Sequence, residues 1–492
     1  MQFNSLYFIL MFLPVVLAVH VLVSRSSKKA GDLLLLAASF FFYGTQNLWY
    51  LLFLLISITV NYLLVLGIQK KRGAKGHGAG AAKVLFVLSL VFNIGFLGYF
   101  KYTGFFLENW NAASGGNVSI PDILLPIGIS FYTFSEIAFL ADVYRGQAWT
   151  EGISLADFAL YAAYFPKILQ GPIALPRDLV PQIRDREGKR VDSREAAIGV
   201  QMFVLGLSKK VLLADVFGKA ADWGFQYLVL NTTGEMLLTM VSYTFQIYFD
   251  FSGYSDMALG AAKMLGFDLP ANFNSPYKAD SVTDFWRRWH ISLTDFLREY
   301  IYFPLGGSRK GTVRTYVNIL IVFLVSGFWH GANWTFIVWG IVHGLLQVFE
   351  RANRKWYFKI PRLIRQVLMF VSVSILWMVF RCESFSDFTW VMHLLGAKTW
   401  HWGLRSELAQ SLSIPGLRSV LSILHLPFTD YSAGILSTVL MFGFSLFLVF
   451  VPENAEKRQY PTTAGSLLLT LVLFAASILS LSSVSSFIYN NF

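Results

Sequence analysis

Two histidines stand in polar and aromatic segments that interrupt apolar sequence. His290 lies in WRRWHISL, residues 286–293, and His330 lies in GFWHGANW, residues 327–334. A buried neutral imidazole can take a proton from an attacking hydroxyl or can itself accept an acyl group, so acyl transfer is the chemistry to consider. A single histidine in an apolar segment is more often a hydrogen-bonded structural residue. Spacing alone leaves both interpretations open.

The neighbours of His330 add to its catalytic interpretation. On helical spacing, Asn333 and Trp334 share the face of His330, which predicts that an amide orients the imidazole beside an aromatic wall.

The segment around His290 is basic as well as aromatic. Asp284 is predicted to begin an amphipathic helix that carries Arg287, Arg288 and Arg298. Such a helix could lie at the interface and bind anionic headgroups of membrane lipids, with His290 as a buried structural residue. Alternatively, Arg287 and Arg288 could bind the phosphates of an acyl donor.

Acidic residues also fall within apolar sequence. Asp250 and Asp256 lie in YFDFSGYSDMALG, six residues apart and therefore on different faces of a helix. A charged side chain at the centre of a membrane helix costs roughly 2.5–3.5 kcal/mol, so such residues usually face a partner or a wet cavity. Catalytic, ion-pair and ion-pathway roles are all possible. Asp142 and Arg145, at the end of an earlier apolar run, suggest an anchoring ion pair.

The elements that must position these residues follow from composition. The chain has 492 residues, of which 55% are hydrophobic and 14% charged, against about 25% charged in soluble proteins. This composition predicts an all-α polytopic membrane protein. At roughly 20 residues a crossing, the apolar runs give about 11–13 membrane segments, including re-entrant pieces. We expect one transmembrane domain over residues 1–492.

Charge patterning predicts the orientation. The net charge is +11, and its Lys and Arg residues lie in short loops at 25–29, 70–75, 350–355 and 456–459. This distribution is typical of cytoplasmic loops, and it places the N-terminus outside. It favours membrane lipids over nucleic acid as the partner of the basic residues. The N-terminal apolar run has no preceding basic residue and is predicted to be a retained span.

Residues 158–173 are apolar but contain Pro166, Gly171 and Pro172. A full crossing there would place the basic segment 184–190 outside, against the charge rule. We therefore expect a re-entrant hairpin, which is tolerated at membrane depth only where it is buried in protein or lines a cavity.

The sequence lacks the common signatures of metal and nucleotide sites. Cys382 is the single cysteine, and no Cys/His cluster, Walker loop or Rossmann fingerprint is present. We expect neither a metal nor a bound cofactor.

Several blocks in order resemble the membrane-bound O-acyltransferase (MBOAT) superfamily, and in particular its alginate O-acetylation branch. These blocks are YFPKILQGPI, YFDFSGYSDMALG, DFWRRWHISL, REYIYFPLGGSRKG and GFWHGANWTFIVWG. They lie within a core of roughly residues 120–350.

This resemblance implies a helical ring around a central pore, with His330 as the catalytic histidine and His290 as the second characteristic histidine. With it, Trp329 and Trp334 are expected to form the walls of a narrow passage. It implies that acetyl groups pass from cytoplasmic acetyl-CoA across the inner, cytoplasmic membrane for O-acetylation of an exported polysaccharide. A periplasmic or extracellular partner acetyltransferase is expected to finish the transfer. Ser135, Glu136 and Ala138 lie in a block that is expected to vary among relatives, and they leave the length of the donor chain open.

Two alternative functions remain open from the sequence. One is transfer of D-alanyl or longer acyl groups to teichoic acid, peptidoglycan or protein. The other is a proton-coupled transporter or flippase in which His330 and Asp250 relay protons. A transporter is expected to contain an internal repeat, and none is visible in this sequence.

Overall fold

The structure is a computed structural model. It describes residues 1–73, 78–184, 192–397, 401–414, 416–452, 459–481 and 485–488. Parts of the basic segments at 70–75, 184–190 and 456–459 lie outside the described residues. The predicted orientation of the chain stays a prediction.

Most of the described residues are helical, as the sequence predicts. The α-helices of the N-terminal half are α1 Leu13–Ser26, α2 Lys28–Gly44, α3 Leu48–Arg72, α4 Gly78–Ser114, α5 Ile129–Arg145, α6 Leu155–Ala163, α7 Phe165–Ile168, α8 Pro176–Arg184, α9 Ser193–Ser208, α10 Asp215–Gln226 and α11 Thr233–Met264. Those of the C-terminal half are α12 Val282–Arg288, α13 Ile291–Leu297, α14 Thr312–His330, α15 Trp334–Ala352, α16 Arg354–Tyr357, α17 Arg362–Arg381, α18 Phe385–Leu395, α19 Ser406–Ser411, α20 Leu417–Ile423, α21 Asp430–Phe450 and α22 Ala464–Ser480.

Short non-α turns join some of these helices. π-helical turns occur at Phe8–Phe12, Lys209–Ala214 and Arg298–Tyr302, and 3₁₀ turns at Ala148–Thr150, Leu228–Leu230 and Pro276–Lys278. Within the described ranges, β-type pairing is limited to one antiparallel bridge between Phe273 and Trp289.

Among the residues that the structure describes, seven helical segments are long and apolar enough to cross a membrane. They are Phe8–Ser26, Leu48–Arg72, Ala79–Ser114, Ser193–Gln226, Thr312–His330, Arg362–Arg381 and Asp430–Phe450. The shorter helix α22 is also apolar. The chain is therefore an all-α, multi-pass membrane protein, while the total of 11–13 segments stays a prediction.

The chain divides into two compact units. The first comprises Met1–Phe203, Ser255–Ala271 and Ser292–Gly307, and the second comprises Val204–Tyr254, Asn272–Ile291 and Ser308–Phe492. The prediction of one domain over the whole chain stays a prediction.

The predicted interruption at residues 158–173 lies in the first unit. Helix α6 ends at Ala163, and α7 has only four residues. A nine-residue helix rises about 14 Å, which is less than half of a roughly 30 Å hydrocarbon core. The irregular backbone is buried and hydrogen-bonded: Phe165 N donates to Ser39 Oγ at 3.0 Å, and Tyr161 Oη donates to Ala174 O at 3.1 Å. The helix break is confirmed, and its backbone is paired inside the protein. The re-entrant hairpin stays a prediction.

The ion pair predicted at the end of α5 also lies in the first unit and is confirmed. Arg145 Nη1 lies 4.0 Å from Asp142 Oδ1 and 3.0 Å from Glu299 Oε1. The phenol of Tyr300 donates to Asp142 Oδ1 at 3.0 Å. These contacts anchor the end of α5 to the turn that follows α13.

Candidate active site

His330 is the last residue of α14, in the second unit. Gly331 is extended, and Asn333 caps α15 by accepting from Thr335 N at 3.0 Å. The amide Nδ2 of Asn333 donates to Glu383 O at 2.9 Å. The prediction that Asn333 shares a helical face with His330 and orients its ring was wrong, because the helix ends at His330. Asn333 is a structural residue of the turn.

The α14–α15 hairpin is close-packed next to this turn. Gly327 and Gly340 face each other, so that a Cβ on Gly327 would lie 3.2 Å from Gly340 Cα. Paired small residues allow membrane helices to approach at backbone distance. The contact brings Trp339, which adjoins Gly340, against His330.

Aromatic rings enclose His330, whose exposed fraction is 4%. The ring centroids of Trp329, Trp339 and Phe380 lie 4.9, 5.1 and 5.3 Å from that of His330, each nearly perpendicular to the imidazole. Trp329 therefore contacts the imidazole of His330, and its place in the wall of a passage stays a prediction. Trp334 follows the turn at the start of α15 and is 52% exposed. Its place as the second wall stays a prediction.

The segment around His290 is not one amphipathic helix, contrary to the prediction. It folds as α12 and α13, with His290 between them at φ +47°, in the left-handed region. The N-cap is Ser281, whose Oγ accepts from Asp284 N at 3.1 Å. A non-glycine residue in this conformation is uncommon and is often held so at a functional site.

Neighbouring backbone holds His290 in this conformation. Ile291 N donates to Asn272 O at 3.0 Å, and the Phe273–Trp289 bridge flanks it. His290 is fully buried, and its Nδ1 lies 3.0 Å from Asn272 Oδ1. Because an amide oxygen only accepts, His290 Nδ1 donates and the lone pair lies on Nε2. Burial lowers the pKa of His290 to about 3, so its imidazole is neutral at physiological pH.

One tryptophan ring lies near both histidines. The centroid of Trp329 is 6.2 Å from that of His290 and 4.9 Å from that of His330. On its other side, His290 meets the edge of Phe251 at 4.7 Å. The structure therefore brings together two histidines that are forty residues apart.

The two arginines predicted to contact a donor differ in their surroundings. Arg288 forms an ion pair with Asp284 at 2.9 Å, and its Nη1 donates to Asn274 O at 3.4 Å. The side chain of Arg287 is exposed. Arg288 is therefore engaged within the protein, whereas Arg287 is accessible from outside it.

Asp250 forms a buried ion pair, one of the three roles left open by the sequence. Lys210 Nζ lies 2.7 Å from Asp250 Oδ1 and 2.9 Å from Asp215 Oδ1, and the side chains of Lys210 and Asp250 are each 2% exposed. Ile488 N also donates to Asp250 Oδ2 at 2.9 Å. Asp256 is partly buried and belongs to the first unit. Its role is not defined by this cluster.

A cavity of about 1000 Å³ adjoins the His330 site in the second unit. Its wall includes Phe336 and Phe380, whose rings lie 4.8 Å apart. Polar groups of Asn333, Gln246 and Lys210 also line it. Phe380 thus contacts His330 on one side and the cavity on the other.

Sequence reasoning missed Trp339, Phe380, Asn272 and Lys210. Trp339 and His343 recur one helical turn apart in TFIVWGIVHG, which signals a shared helix face. The other three residues contact partners that are distant in the chain. Phe380 is 50 residues from His330, Asn272 is 18 residues from His290, and Lys210 is 40 residues from Asp250. No local pattern predicts contacts of that kind.

Comparisons with known proteins agree with the family resemblance of the sequence motifs. Residues 35–382 match the membrane-bound O-acyltransferase family. The chain is 38% identical over 412 residues to the peptidoglycan O-acetyltransferase of Helicobacter pylori, which covers 78% of this chain and 77% of that protein. It is 43% identical over 399 residues to the probable alginate O-acetylase of Azotobacter vinelandii, covering 80% and 77%. A teichoic acid D-alanyltransferase of Bacillus subtilis is 26% identical over 241 residues, covering 47% and 61%.

Proposed function

Because this chain belongs to the membrane-bound O-acyltransferase family and is an acyltransferase, we propose that it transfers acetyl groups from acetyl-CoA towards the hydroxyl groups of an exported cell-surface polysaccharide. The similarity to two O-acetylating relatives extends over more than three quarters of the chain. The D-alanyltransferase match is weaker and covers less than half of it. Acetyl transfer is therefore favoured over D-alanyl transfer.

The position of His330 carries the proposal. Its imidazole is buried in an aromatic enclosure, and one wall of that enclosure, Phe380, also lines the adjoining cavity. A neutral imidazole shielded from water can exchange a proton with a reacting group, and hydrolysis of the thioester is suppressed. An acceptor in the cavity would reach His330 past Phe380.

In the proposed reaction, His330 acts as the general base. Its ring nitrogen takes the proton of the acceptor hydroxyl as the hydroxyl oxygen attacks the carbonyl carbon of the thioester. The new C–O bond forms, the C–S bond breaks, and the thiolate of CoA takes up the proton that His330 holds. The alternative is that His330 accepts the acetyl group itself and passes it on in a second step.

His290 has a supporting role in this proposal. Asn272 fixes its tautomer, and Trp329 lies near both His290 and His330, which suits a neutral group on the donor side of the site. Arg287 is the better candidate for contact with donor phosphates, because Arg288 is paired with Asp284.

The setting of the reaction is also part of the proposal. The basic loops favour a cytoplasmic donor side and an N-terminus outside the cytoplasmic membrane. A periplasmic or extracellular acetyltransferase would then receive the acetyl group and complete transfer to the polysaccharide. Asp250 is bound to Lys210, which favours a structural role over the proton relay of the transporter alternative.

The test uses the purified full-length protein in proteoliposomes with acetyl-CoA labelled in the acetyl group. Release of CoA thiol and transfer of label are compared between wild type and His330→Ala. The matched control is His20→Ala, since His20 is another buried histidine, in α1 of the first unit. We expect His330→Ala alone to abolish turnover. Equal turnover in both variants would overturn the role of His330, and use of D-alanyl but not acetyl donors would overturn the substrate class.

A further inference from the structure

Trp339 and His343 lie one turn apart on α15, on the face that meets His330. Both are fully buried, and their ring centroids are 4.8 Å apart. Trp339 is also 5.1 Å from His330. A third histidine therefore belongs to the aromatic cluster of the candidate active site.

Hydrogen bonding defines the proton position on His343. The indole Nε1 of Trp286 donates to His343 Nδ1 at 3.3 Å. Indole is only a donor, so Nδ1 must carry a lone pair, the imidazole is neutral and its proton lies on Nε2. His343 therefore presents an N–H group at Nε2.

The N–H group of His343 and the indole N–H of Trp339 are both buried hydrogen-bond donors. Both His343 Nε2 and Trp339 Nε1 are buried without a hydrogen-bond partner among the residues that the structure describes. Buried donors are nearly always paired, because an unpaired one lowers the stability of the fold. Two such donors on adjacent rings, beside the candidate catalytic histidine, indicate a place for an acceptor atom of a ligand.

We propose that Trp339 Nε1 and His343 Nε2 donate hydrogen bonds to the carbonyl oxygen of the acyl group during transfer, an inference that rests on the proposed function. When the acceptor oxygen attacks the carbonyl carbon, the C=O electron pair moves to oxygen. The two N–H groups stabilise this negative charge, and the pair returns to re-form C=O as the C–S bond breaks. His330 handles the proton, and its two neighbours hold the oxyanion.

The enclosure also indicates the size of the acyl group. Both donors are fully buried, and Trp339 packs against Phe380 at 5.3 Å, on the wall of the cavity. A group that reaches the donors from the cavity must pass this ring. The arrangement suits a short acyl group such as acetyl, in preference to a long chain.

Three substitutions test the donors separately. Trp339→Phe removes the indole N–H and keeps an aromatic ring. His343→Asn keeps a polar group near the Nδ1 position that Trp286 contacts but lacks a donor at the Nε2 position. His343→Gln places an amide N–H near Nε2 and serves as the conservative rescue.

The matched control is Trp377→Phe. Trp377 is equally buried and stacks 5.9 Å from Trp339, but its Nε1 already donates to Tyr277 Oη at 3.1 Å. Trp377→Phe and Trp339→Phe change the ring in the same way. Trp377→Phe, however, removes a hydrogen bond within the fold, the one to Tyr277. Thermal unfolding of each variant in detergent reports whether it is folded.

We measure kcat and KM for acetyl-CoA in proteoliposomes. We expect Trp339→Phe and His343→Asn each to lower kcat by on the order of 10²-fold with little change in KM, as for loss of one oxyanion donor. His343→Gln should recover part of this loss, and Trp377→Phe should keep kcat within a few-fold. If Trp339→Phe and His343→Asn are folded and match Trp377→Phe in kcat while His330→Ala is inactive, the donor role is overturned and the proposed function stands. Full turnover by His330→Ala would overturn the catalytic role of His330, whereas failure of the folded wild type to consume acetyl-CoA would overturn the proposed function.

Discussion

Asn272 and His290 are joined through their side chains, with Asn272 Oδ1 3.0 Å from His290 Nδ1. The same two residues frame the bridge between Phe273 and Trp289. The pair sets both the backbone conformation and the tautomer of His290. A change at Asn272 should therefore act on the protonation of His290.

Asn272→Asp places a carboxylate beside His290. A neighbouring negative charge stabilises the imidazolium and raises the pKa of His290 from its low value in the wild type. A neighbouring charge shifts a pKa by about 1–3 pH units. If neutral His290 takes part in the reaction, the variant therefore loses activity as the pH falls from about 7 to 5, where the wild type keeps it. The measurement is kcat against pH for both proteins. Parallel profiles would show that the protonation of His290 does not matter to turnover.

His290 should also make folding stability depend on pH. Its pKa is about 3 in the folded protein, against 6.5 for an unperturbed histidine. The contribution of neutral His290 to the free energy of unfolding is fully present above about pH 6.5. It is lost as the pH falls towards 3, because only the unfolded state takes up the proton in that range. Thermal unfolding should therefore show a steeper loss of stability between pH 6.5 and 4.5 for wild type than for His290→Gln. Equal slopes in that range would contradict the buried neutral state of His290.

Gly340→Ala should disturb the contact between Trp339 and His330. A Cβ at Gly340 would overlap the backbone oxygen of Phe323 and lie 3.1 Å from Gly327 Cα, so that α14 and α15 must separate. We expect a loss of stability of about 1–3 kcal/mol, as in overpacked cores, together with reduced turnover. The control is Gly443→Ala in α21, where an added Cβ meets no atom within 4 Å. If both variants behave alike, close packing at Gly340 does not position the site.

Lys210→Met should lower stability because it leaves two carboxylates without their shared cation. Removing one partner of a buried ion pair typically costs about 3–5 kcal/mol. The exposed pair Arg418–Asp430 supplies the control, and Arg418→Met should cost no more than about 1 kcal/mol.

Asp250→Asn tests whether Asp250 stabilises the fold through its ion pair with Lys210 or relays protons. The folded fraction of this variant should retain kcat within a few-fold, because Asp250 is bound to Lys210 and does not contact His330 through any described bond. A loss of kcat comparable to that of His330→Ala in well-folded protein would instead support a proton relay.

Arg287→Ala should weaken donor binding. Loss of one exposed contact to a phosphate costs about 1 kcal/mol, or roughly a five-fold rise in KM for acetyl-CoA, and the effect should shrink at high salt. Arg354→Ala is the control, since Arg354 is also exposed and belongs to the second unit. An unchanged KM in Arg287→Ala would remove this residue from the donor site.

The sequence by itself determined the class of the protein. Long apolar runs must form helices in a membrane, because backbone groups there need internal hydrogen bonds, so the all-α architecture follows from composition. The break at residues 158–173 follows from Pro166 and the pair Gly171 and Pro172, which a continuous helix does not tolerate. The ordered motifs around His290 and His330 indicated the family, and the comparisons establish it.

The tertiary structure alone decided how the site is built. Helical periodicity assigned Asn333 and Trp334 to the face of His330, but the chain leaves the helix at Gly331, and this turn is stabilised by contact with Glu383, fifty residues after Asn333. The rings that enclose His330 come from α14, α15 and α17. A local pattern reports which face of one helix is apolar, whereas these neighbours are set by packing between helices that are distant in sequence.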